Sequence, residues 1–183
     1  MDHLFDIMKI SQIGGNQMKK VFSIMICMIL SLSMSACDSK AKPLQSKESY
    51  TIGNQIEMQL KGIVIDQQVN PTNMNHEYQY WYTDEKGYRL VDVQFYVENH
   101  SDQTQELSDF YDAELQIDDN SVKQDVCMEL EHYTKIEKET TLAANTKTIL
   151  HQFFYLKEKD LKKDLTAVFT LDDVDYTLSL IHI

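Results

Sequence analysis

Basic residues are scarce in this sequence, where 17 lysines and arginines stand against 29 aspartates and glutamates and the net charge is −12 at neutral pH. Such an acidic surface repels phosphate backbones, which argues against nucleic acid as a partner. The chain also contains only two prolines, five glycines and three cysteines. With few glycines and no alternation of strands with helices, the pattern argues against a parallel α/β fold and favours antiparallel strands.

Motifs that mark common hydrolases are absent, since the sequence contains neither G-x-S-x-G nor H-E-x-x-H. Five histidines follow residue 37, but they are scattered, and their spacing predicts no metal site. His151 alternates with Phe153 and is predicted to lie in or beside the core. Because a nucleophile, a base and an orienting group do not converge, we predict that the protein is not an enzyme and has no cofactor.

Residues 18–40, MKKVFSIMICMILSLSMSACDSK, contain two lysines, an apolar run and then small residues before Cys37. This order is typical of a secretory signal peptide, and the apolar run is shorter than the roughly 20 residues of a spanning helix. The segment Met34-Ser35-Ala36-Cys37 resembles the lipobox of bacterial lipoproteins. That resemblance implies removal of the signal peptide at residues 18–36 and lipidation of Cys37, whose acyl chains would anchor the protein. An ordinary secretory signal with an incidental cysteine is the alternative.

Residues 1–17 fit no part of such a signal, because Asp2 and Asp6 carry the wrong charge for its first region. The pair Gly14-Gly15 can be encoded by a ribosome-binding sequence at a workable spacing before the Met18 codon. We therefore expect residues 1–17 to be a mis-assigned start and exclude them from fold reasoning.

After the predicted signal, 14 basic and 27 acidic residues remain, so anionic lipid headgroups are disfavoured partners. The lipid alone would hold the protein at the outer face of the cell membrane. Residues 37–49 are polar and are predicted to be the lipidated cysteine and a flexible tether. Cys127 is the one cysteine left beyond the tether, so the core must be stabilised by packing without an internal disulfide. We predict that Cys127 is a half-buried strand residue.

From residue 50 onward apolar and polar residues alternate, which is typical of antiparallel strands with one buried face. The clearest strand is RLVDVQFYVEN, residues 89–99, in which Phe95 faces inward and Gln94 outward. Gly62 stands where a bulge would fit, and Asp172-Asp173 is the predicted turn of a closing hairpin. About seven such strands predict an all-β, immunoglobulin-like antiparallel β-sandwich at residues 50–183.

Three segments of the predicted sandwich carry a resemblance to a known family: SYTIGNQIEM at residues 49–58, YRLVDVQFYVENHSDQ at 88–103 and LAANTKTILHQFFYL at 142–156. They resemble Gram-positive bacterial lipoproteins that carry an immunoglobulin-like domain of unknown function. The family usually has Pro-Gly where Ala144-Asn145 stands in this sequence. The resemblance implies an exposed, lipid-tethered module, and it offers no catalytic residues.

The aromatic segment HEYQYWYTDEKGY, residues 76–88, contains the single tryptophan of the chain. If the segment is extended, Tyr78, Tyr80 and Tyr82 lie on one face and Trp81 lies on the other. Trp81 is then predicted to occupy the core, as in many immunoglobulin-like sandwiches. The alternative is that these four aromatic residues form a surface for a ligand or partner.

Acidic residues cluster at two predicted turns. Asp118, Asp119 and Asp125 are weak candidates for a calcium site, as are the acidic residues near Asp172. The spacing departs from a calcium-binding EF-hand loop, and Asp also favours turns because its side chain mimics a backbone turn. We therefore predict turns and no metal.

These observations favour a non-catalytic binding or interaction module that is displayed outside the membrane on a lipid anchor. Its partner would be an envelope protein, a wall polymer or a small ligand, and the membrane would be contacted through the lipid alone. The alternative is a cell-envelope hydrolase or a calcium-dependent protein built on a β-sandwich. Fold resemblance by itself does not decide between them.

Overall fold

The computed structural model describes residues 41–180 with the exception of Asn54, His76, Asp119 and Glu131. The predicted mis-assigned start, the signal peptide and the lipidated Cys37 lie outside the described residues. Within the described part of the chain, no helix is long and apolar enough to cross a membrane.

The described residues form fifteen strands and two short 3₁₀ helices, the latter at Leu107–Asp109 and Asp160–Lys162. The strands are β1 (Lys42–Pro43), β2 (Ser49–Ile52), β3 (Ile56–Asp66), β4 (Gln68–Val69), β5 (Trp81–Tyr82), β6 (Tyr88–Asn99), β7 (Gln105–Glu106), β8 (Tyr111–Ile117), β9 (Asn120–Ser121), β10 (Gln124–Leu130), β11 (Lys135–Glu137), β12 (Thr141–Leu142), β13 (Lys147–Lys157), β14 (Thr166–Leu171) and β15 (Val174–Ser179).

Two sheets contain most of these strands. One has the order β1-β15-β14-β8-β9 and the other has the order β11-β10-β13-β6-β3-β2, while β12-β7 and β4-β5 form separate pairs. Both large sheets contribute to one apolar core, in which the ring centroids of Phe95 on β6 and Phe169 on β14 are 5.2 Å apart. The all-β sandwich predicted from the sequence is therefore confirmed.

The seven longest strands follow the strand order of a constant-type immunoglobulin domain. Taken in chain order, β3, β6, β8, β10, β13, β14 and β15 correspond to strands A to G of that domain. They place A, B, E and D in one sheet and C, F and G in the other, as the constant-type domain does. The connection between β3 and β6 is unusually long and contains the β4-β5 hairpin.

Strand β6 has its predicted inner face in the core between the sheets. Val91, Val93, Phe95 and Val97 are all buried there, because a period of two places alternate side chains on the same face. The predicted bulge in β3 is also confirmed, since the register of β3 against β6 shifts between Leu60 and Gly62.

The opposite face of β6 is buried as well, which corrects the prediction of a half-buried strand. Asp92 and Gln94 are buried, and Tyr96 is the exposed member of that face. Residues 148–156 of β13, next to β6, are likewise all buried. Alternation predicts which side chains share a face, but it does not predict whether another segment covers that face.

The predicted flexible tether at residues 37–49 ends earlier than the sequence indicated. Lys42 and Pro43 form β1, which pairs in parallel with β15, and the Leu44 amide donates a hydrogen bond to the Thr177 carbonyl at 2.7 Å. The Leu44 side chain is buried in the main core. The sandwich therefore begins before residue 50, because pairing with β15 and burial of Leu44 together hold residues 42–44 on the sheet.

Two turns have the backbone conformation that their sequences suggest. Asp172 and Asp173 connect β14 to β15 with φ angles of 50° and 61°, which confirms the predicted closing hairpin. Asn145 has a φ of 52° at the position where the resembling family usually has glycine. Asparagine tolerates this left-handed conformation better than most residues do.

Candidate functional site

The connection between β3 and β6 lies on the outer face of the six-stranded sheet. We call residues 67–83 of this connection the covering segment. Val69 and Trp81 of the covering segment pack against Leu90, Cys127, Ile136, Phe153 and Tyr155, which form a second apolar cluster on that face. This cluster explains why the outer face of β6 and β13 is buried.

Trp81 holds the covering segment on the sheet by two contacts. Its ring stacks on Phe153, with centroids 5.8 Å apart and an angle of 12° between the ring planes. Its indole Nε1 donates a hydrogen bond to the Tyr155 hydroxyl at 2.9 Å. Trp81 therefore packs on the outside of the sheet in the second cluster, which corrects the prediction that it occupies the core between the sheets.

The three tyrosines on the other side of this segment are exposed. Tyr78, Tyr80 and Tyr82 are 40%, 42% and 58% exposed, and we call them the tyrosine ridge. Their ring centroids are 6.4 Å and 5.8 Å apart, with neighbouring rings tilted by 56° and 61°. The alternation of side chains along the segment places these tyrosines on the side away from Trp81, as the sequence indicated. Their role in binding stays a prediction.

A cleft of about 800 Å³ lies at the Tyr78 end of the ridge. It is lined by Asn73, Glu77, Tyr78 and Gln79 of the covering segment and by His132, Thr134 and Lys135 after β10. Gln79 connects the two walls, because its amide donates to the Thr134 carbonyl and its carbonyl accepts from the Ile136 amide. The covering segment is thus held near its C-terminal end by two neighbouring residues, Gln79 and Trp81.

A buried histidine lies beneath the covering segment between two carboxylates. The Nδ1 atom of His151 is 2.9 Å from Asp92 Oδ2, and its Nε2 atom is 3.1 Å from Glu129 Oε1. All three side chains are buried, and we call them the ionic cluster. Each ring nitrogen therefore faces a carboxylate oxygen, which an imidazolium with two N–H donors satisfies.

The ionic cluster is connected to its surroundings on both sides. Glu129 accepts hydrogen bonds from the backbone amide and the hydroxyl of Thr72 in the covering segment. On the other side, Asp92 Oδ2 accepts from Gln94 Nε2 at 2.6 Å, and Gln94 Oε1 accepts from the Lys61 ammonium at 2.7 Å. A chain of polar contacts thus crosses four strands and ends at the covering segment.

His151 was predicted to lie in or beside the core, but its two carboxylate partners were not predicted from the sequence. Asp92, Glu129 and His151 lie on three different strands, and pairing of β6, β13 and β10 brings them to the same face. The signal in the sequence was an acidic residue within each of two apolar strands, Asp92 in β6 and Glu129 in β10. That signal does not indicate which strands are neighbours.

The pKa of His151 reflects two opposed effects. Burial alone lowers the pKa of the imidazole, but the hydrogen bonds with Asp92 and Glu129 outweigh burial and raise the pKa above its ordinary value. A buried charge held in this way stabilises the fold only while its partners remain in place.

The arrangement does not activate a nucleophile. Cys127 is paired directly with His151 across β10 and β13, but both ring nitrogens of His151 already face carboxylates. Burial raises the pKa of the Cys127 thiol to about 12, so the thiol remains protonated at neutral pH. Cys127 is fully buried, which corrects the expectation of a half-buried residue.

The candidate calcium ligands do not form a cluster in the described structure. The Asp118 carboxylate is 2.5 Å from the Lys163 ammonium, and that of Asp125 is 2.5 Å from the Lys138 ammonium. Asp119 lies outside the described residues. Among the residues that are described, no group of three His, Cys, Asp or Glu side chains could hold a metal ion.

Two solved structures from Gram-positive bacteria are similar to this chain. An uncharacterised β-sandwich protein from Clostridium difficile 630 is 18% identical, covers 78% of this chain and 95% of its own, and superposes with a TM-score of 0.66. A conserved hypothetical protein from Bacillus anthracis is 8% identical over 75% of this chain and 94% of its own, with a TM-score of 0.46. No protein-family model and no curated protein matches the sequence. At these identities the first likeness shows the β-sandwich fold alone.

Stability is expected to decrease as the pH rises above about 6.5 because of His151. The folded pKa lies above the unfolded value near 6.5, so the ion pairs contribute fully below about pH 6.5. Their contribution is lost as the pH rises through the raised folded pKa. Urea unfolding of the wild type should therefore have a lower midpoint at a pH above the raised pKa of His151 than at a pH below about 6.5.

The matched control for this pH dependence is His100, an exposed histidine between Glu57 and Glu98. His151→Gln should remove most of the change in midpoint between the two pH values, whereas His100→Gln should retain it. A wild-type midpoint that does not change over this range would contradict the assignment of a charged His151.

Proposed function

We propose that this protein is a lipid-anchored, immunoglobulin-like module at the outer face of the cell membrane. It acts without catalysis, by binding an envelope protein, a wall polymer or a small ligand through the tyrosine ridge. The observation that carries this proposal is the exposure of Tyr78, Tyr80 and Tyr82 on a segment that is itself held firmly on the sheet.

The distribution of exposed apolar side chains supports the ridge as the contact surface. Six large apolar residues are exposed in the described structure, and four of them, Met74 and the three ridge tyrosines, lie on the covering segment. A contiguous exposed apolar patch is costly in water and marks an interaction site. Tyrosine is enriched at such sites because its ring contributes area and its hydroxyl remains hydrated.

The firm attachment of the covering segment also favours binding. Thr72, ahead of the ridge, donates hydrogen bonds from its amide and its hydroxyl to Glu129. Trp81, within the ridge sequence, stacks on Phe153, so the backbone that carries the ridge is connected to the sheet at two points. A surface held in its bound conformation loses little conformational entropy when a partner docks. The entropic cost of ordering the covering segment therefore reduces the binding free energy only slightly.

The membrane location rests on the sequence around Cys37. The lysines, the apolar run and Met34-Ser35-Ala36-Cys37 support export and lipidation. The acidic composition supports attachment by lipid, since anionic headgroups would repel the domain itself.

Replacing Tyr80 and Tyr82 together by serine should weaken binding of the full-length protein to its envelope partner about tenfold or more. A good interface anchor contributes about 2 kcal/mol or above, and two of these rings are removed. Binding should be measured with detergent-solubilised protein against isolated envelope fractions, together with the melting temperature, which should remain close to that of the wild type.

The matched control is Tyr96→Ser, because Tyr96 is 40% exposed on β6 outside the ridge. This variant should bind as the wild type does. If the double ridge variant also binds as the wild type does, the ridge is not the binding surface. If the double variant loses thermal stability, the two rings belong to the fold and not to an interface.

Cys37→Ser should release the protein from membranes into the medium and abolish incorporation of labelled fatty acid. The serine hydroxyl cannot replace the thiol as the acceptor of the lipid, so both acyl chains would be lost. Cys127→Ser serves as the control and should leave labelling intact. Wild-type protein that takes up no labelled fatty acid would contradict the lipobox interpretation.

A further inference from the structure

Carboxylates flank the tyrosine ridge at both of its ends. Glu77 precedes the ridge, and Asp84 and Glu85 follow it, and all three residues are exposed. Within the described part of the chain, none of these three side chains has an ion pair with another described residue. The ridge is therefore an aromatic surface with unpaired negative charge at either end.

The protein places its own lysines over aromatic rings elsewhere. Lys123 lies 4.2 Å from the ring centroid of Tyr155, Lys138 lies 5.8 Å from that of Trp81, and Lys157 lies 5.8 Å from that of Tyr88. Among the described residues, no cation lies over Tyr78, Tyr80 or Tyr82 in this way. The ridge rings thus keep open faces that a cation from outside could occupy.

We propose that the occupant of the ridge is a basic, extended segment of a partner protein, whose Lys or Arg side chains lie on the tyrosine rings. This inference rests on the proposed function and names the chemical class of its partner. A cation over an aromatic face is attracted by the ring quadrupole. The flanking carboxylates attract the same cation by their negative charge.

The spacing of the rings fits an extended partner. Neighbouring ridge rings are 6.4 Å and 5.8 Å apart. Alternate residues of a β-strand point to the same side and are separated by roughly 6.6 Å, twice the rise per residue. A segment with Lys or Arg at alternate positions therefore presents one cation to each ring.

Other occupants fit less well. Rings tilted by 56° and 61° share no common plane on which consecutive sugar rings of a neutral glycan could stack. An anionic wall polymer would be repelled by the unpaired carboxylates and by the net charge of −12. A neutral oligosaccharide and an acidic peptide, which represent these two alternatives, are included in the test below.

The test uses full-length protein in mild detergent and a short fluorescent peptide that alternates Lys and Ser. Binding is followed by fluorescence anisotropy at low and at physiological salt. We expect saturable binding that weakens about tenfold or more in Tyr80→Ser/Tyr82→Ser and several-fold in Glu77→Gln/Asp84→Asn/Glu85→Gln. Tyr96→Ser and Asp102→Asn, which change an exposed tyrosine and an exposed carboxylate elsewhere, should bind as the wild type does.

Two results would overturn this inference. The first is peptide binding that is equal in wild type and Tyr80→Ser/Tyr82→Ser, since the cations would then bind the acidic surface in general. The second is ridge-dependent binding of a neutral oligosaccharide or of a Glu-Ser peptide in place of the Lys-Ser peptide. In that second case the ridge remains a binding surface, so the proposed function stands while the basic partner is rejected. The proposed function fails separately if envelope binding does not depend on the ridge.

Discussion

Phe95→Ala is expected to lower the free energy of unfolding by about 3 to 5 kcal/mol. The Phe95 ring is fully buried between the sheets and contacts Phe169 and Tyr111, with centroid distances of 5.2 Å and 6.2 Å. Truncation removes the transfer free energy of the ring and leaves a cavity that the two sheets can fill only in part. Urea unfolding monitored by circular dichroism measures the effect directly.

Such a loss is a large fraction of the stability of an ordinary domain, which is about 5 to 15 kcal/mol. Cys127 is a free cysteine, and the described residues contain no disulfide that could offset this loss of stability. Tyr96→Ala, at the next position and on the exposed face, is the control and should cost less than about 1 kcal/mol. Equal effects at the two positions would contradict the assignment of faces.

The sequence places Gln94 on the outward face of its strand, where Gln94→Ala would be expected to change little, and the structure alters that expectation. Gln94 is buried and connects Asp92 to Lys61 by two hydrogen bonds. Its removal leaves the buried Asp92 carboxylate with one partner fewer, and the Oδ1 atom of Asp92 already has no hydrogen bond. We now expect a cost of about 1 to 3 kcal/mol.

His151→Leu is expected to destabilise the protein by about 3 to 5 kcal/mol near pH 6. Leucine fills a similar volume, but it leaves the carboxylates of Asp92 and Glu129 buried without the two N–H donors between them. Removing one partner of a buried ionic group leaves uncompensated charge, which costs far more than the loss of an exposed pair. Urea unfolding at fixed pH measures this change.

His100→Leu is the matched control, because His100 also lies between two carboxylates but its side chain is 49% exposed. Water solvates Glu57 and Glu98 once the imidazole is gone, so the expected cost is below about 1 kcal/mol. If His151→Leu were no more destabilising than His100→Leu, the ionic cluster would make no net contribution to stability.

Local pattern determined a large part of this fold. The strand at residues 89–99, its inner face, the bulge at Gly62 and the hairpin at Asp172-Asp173 were all predictable. Each depends on a period of two or on the backbone preference of one or two residues, and such features are contained in a few consecutive positions. The aromatic alternation that separates the ridge from Trp81 belongs to the same class.

Tertiary structure alone decided what covers the outer sheet face and which charges meet beneath it. Alternation places Asp92 on the strand face that Val91 and Val93 do not share. Burial of Asp92 on that face depends on the covering segment, residues 67–83, and the alternation within β6 gives no information about that segment. The meeting of Asp92, Glu129 and His151 depends on the order β6-β13-β10, a long-range pairing that no local period encodes. Likewise, Leu44 reaches the core through the pairing of β1 with β15, a strand near the other end of the described sequence. Sequence by itself thus determined faces and turns, whereas burial of polar groups required knowledge of the neighbours that only the packed sheets provide.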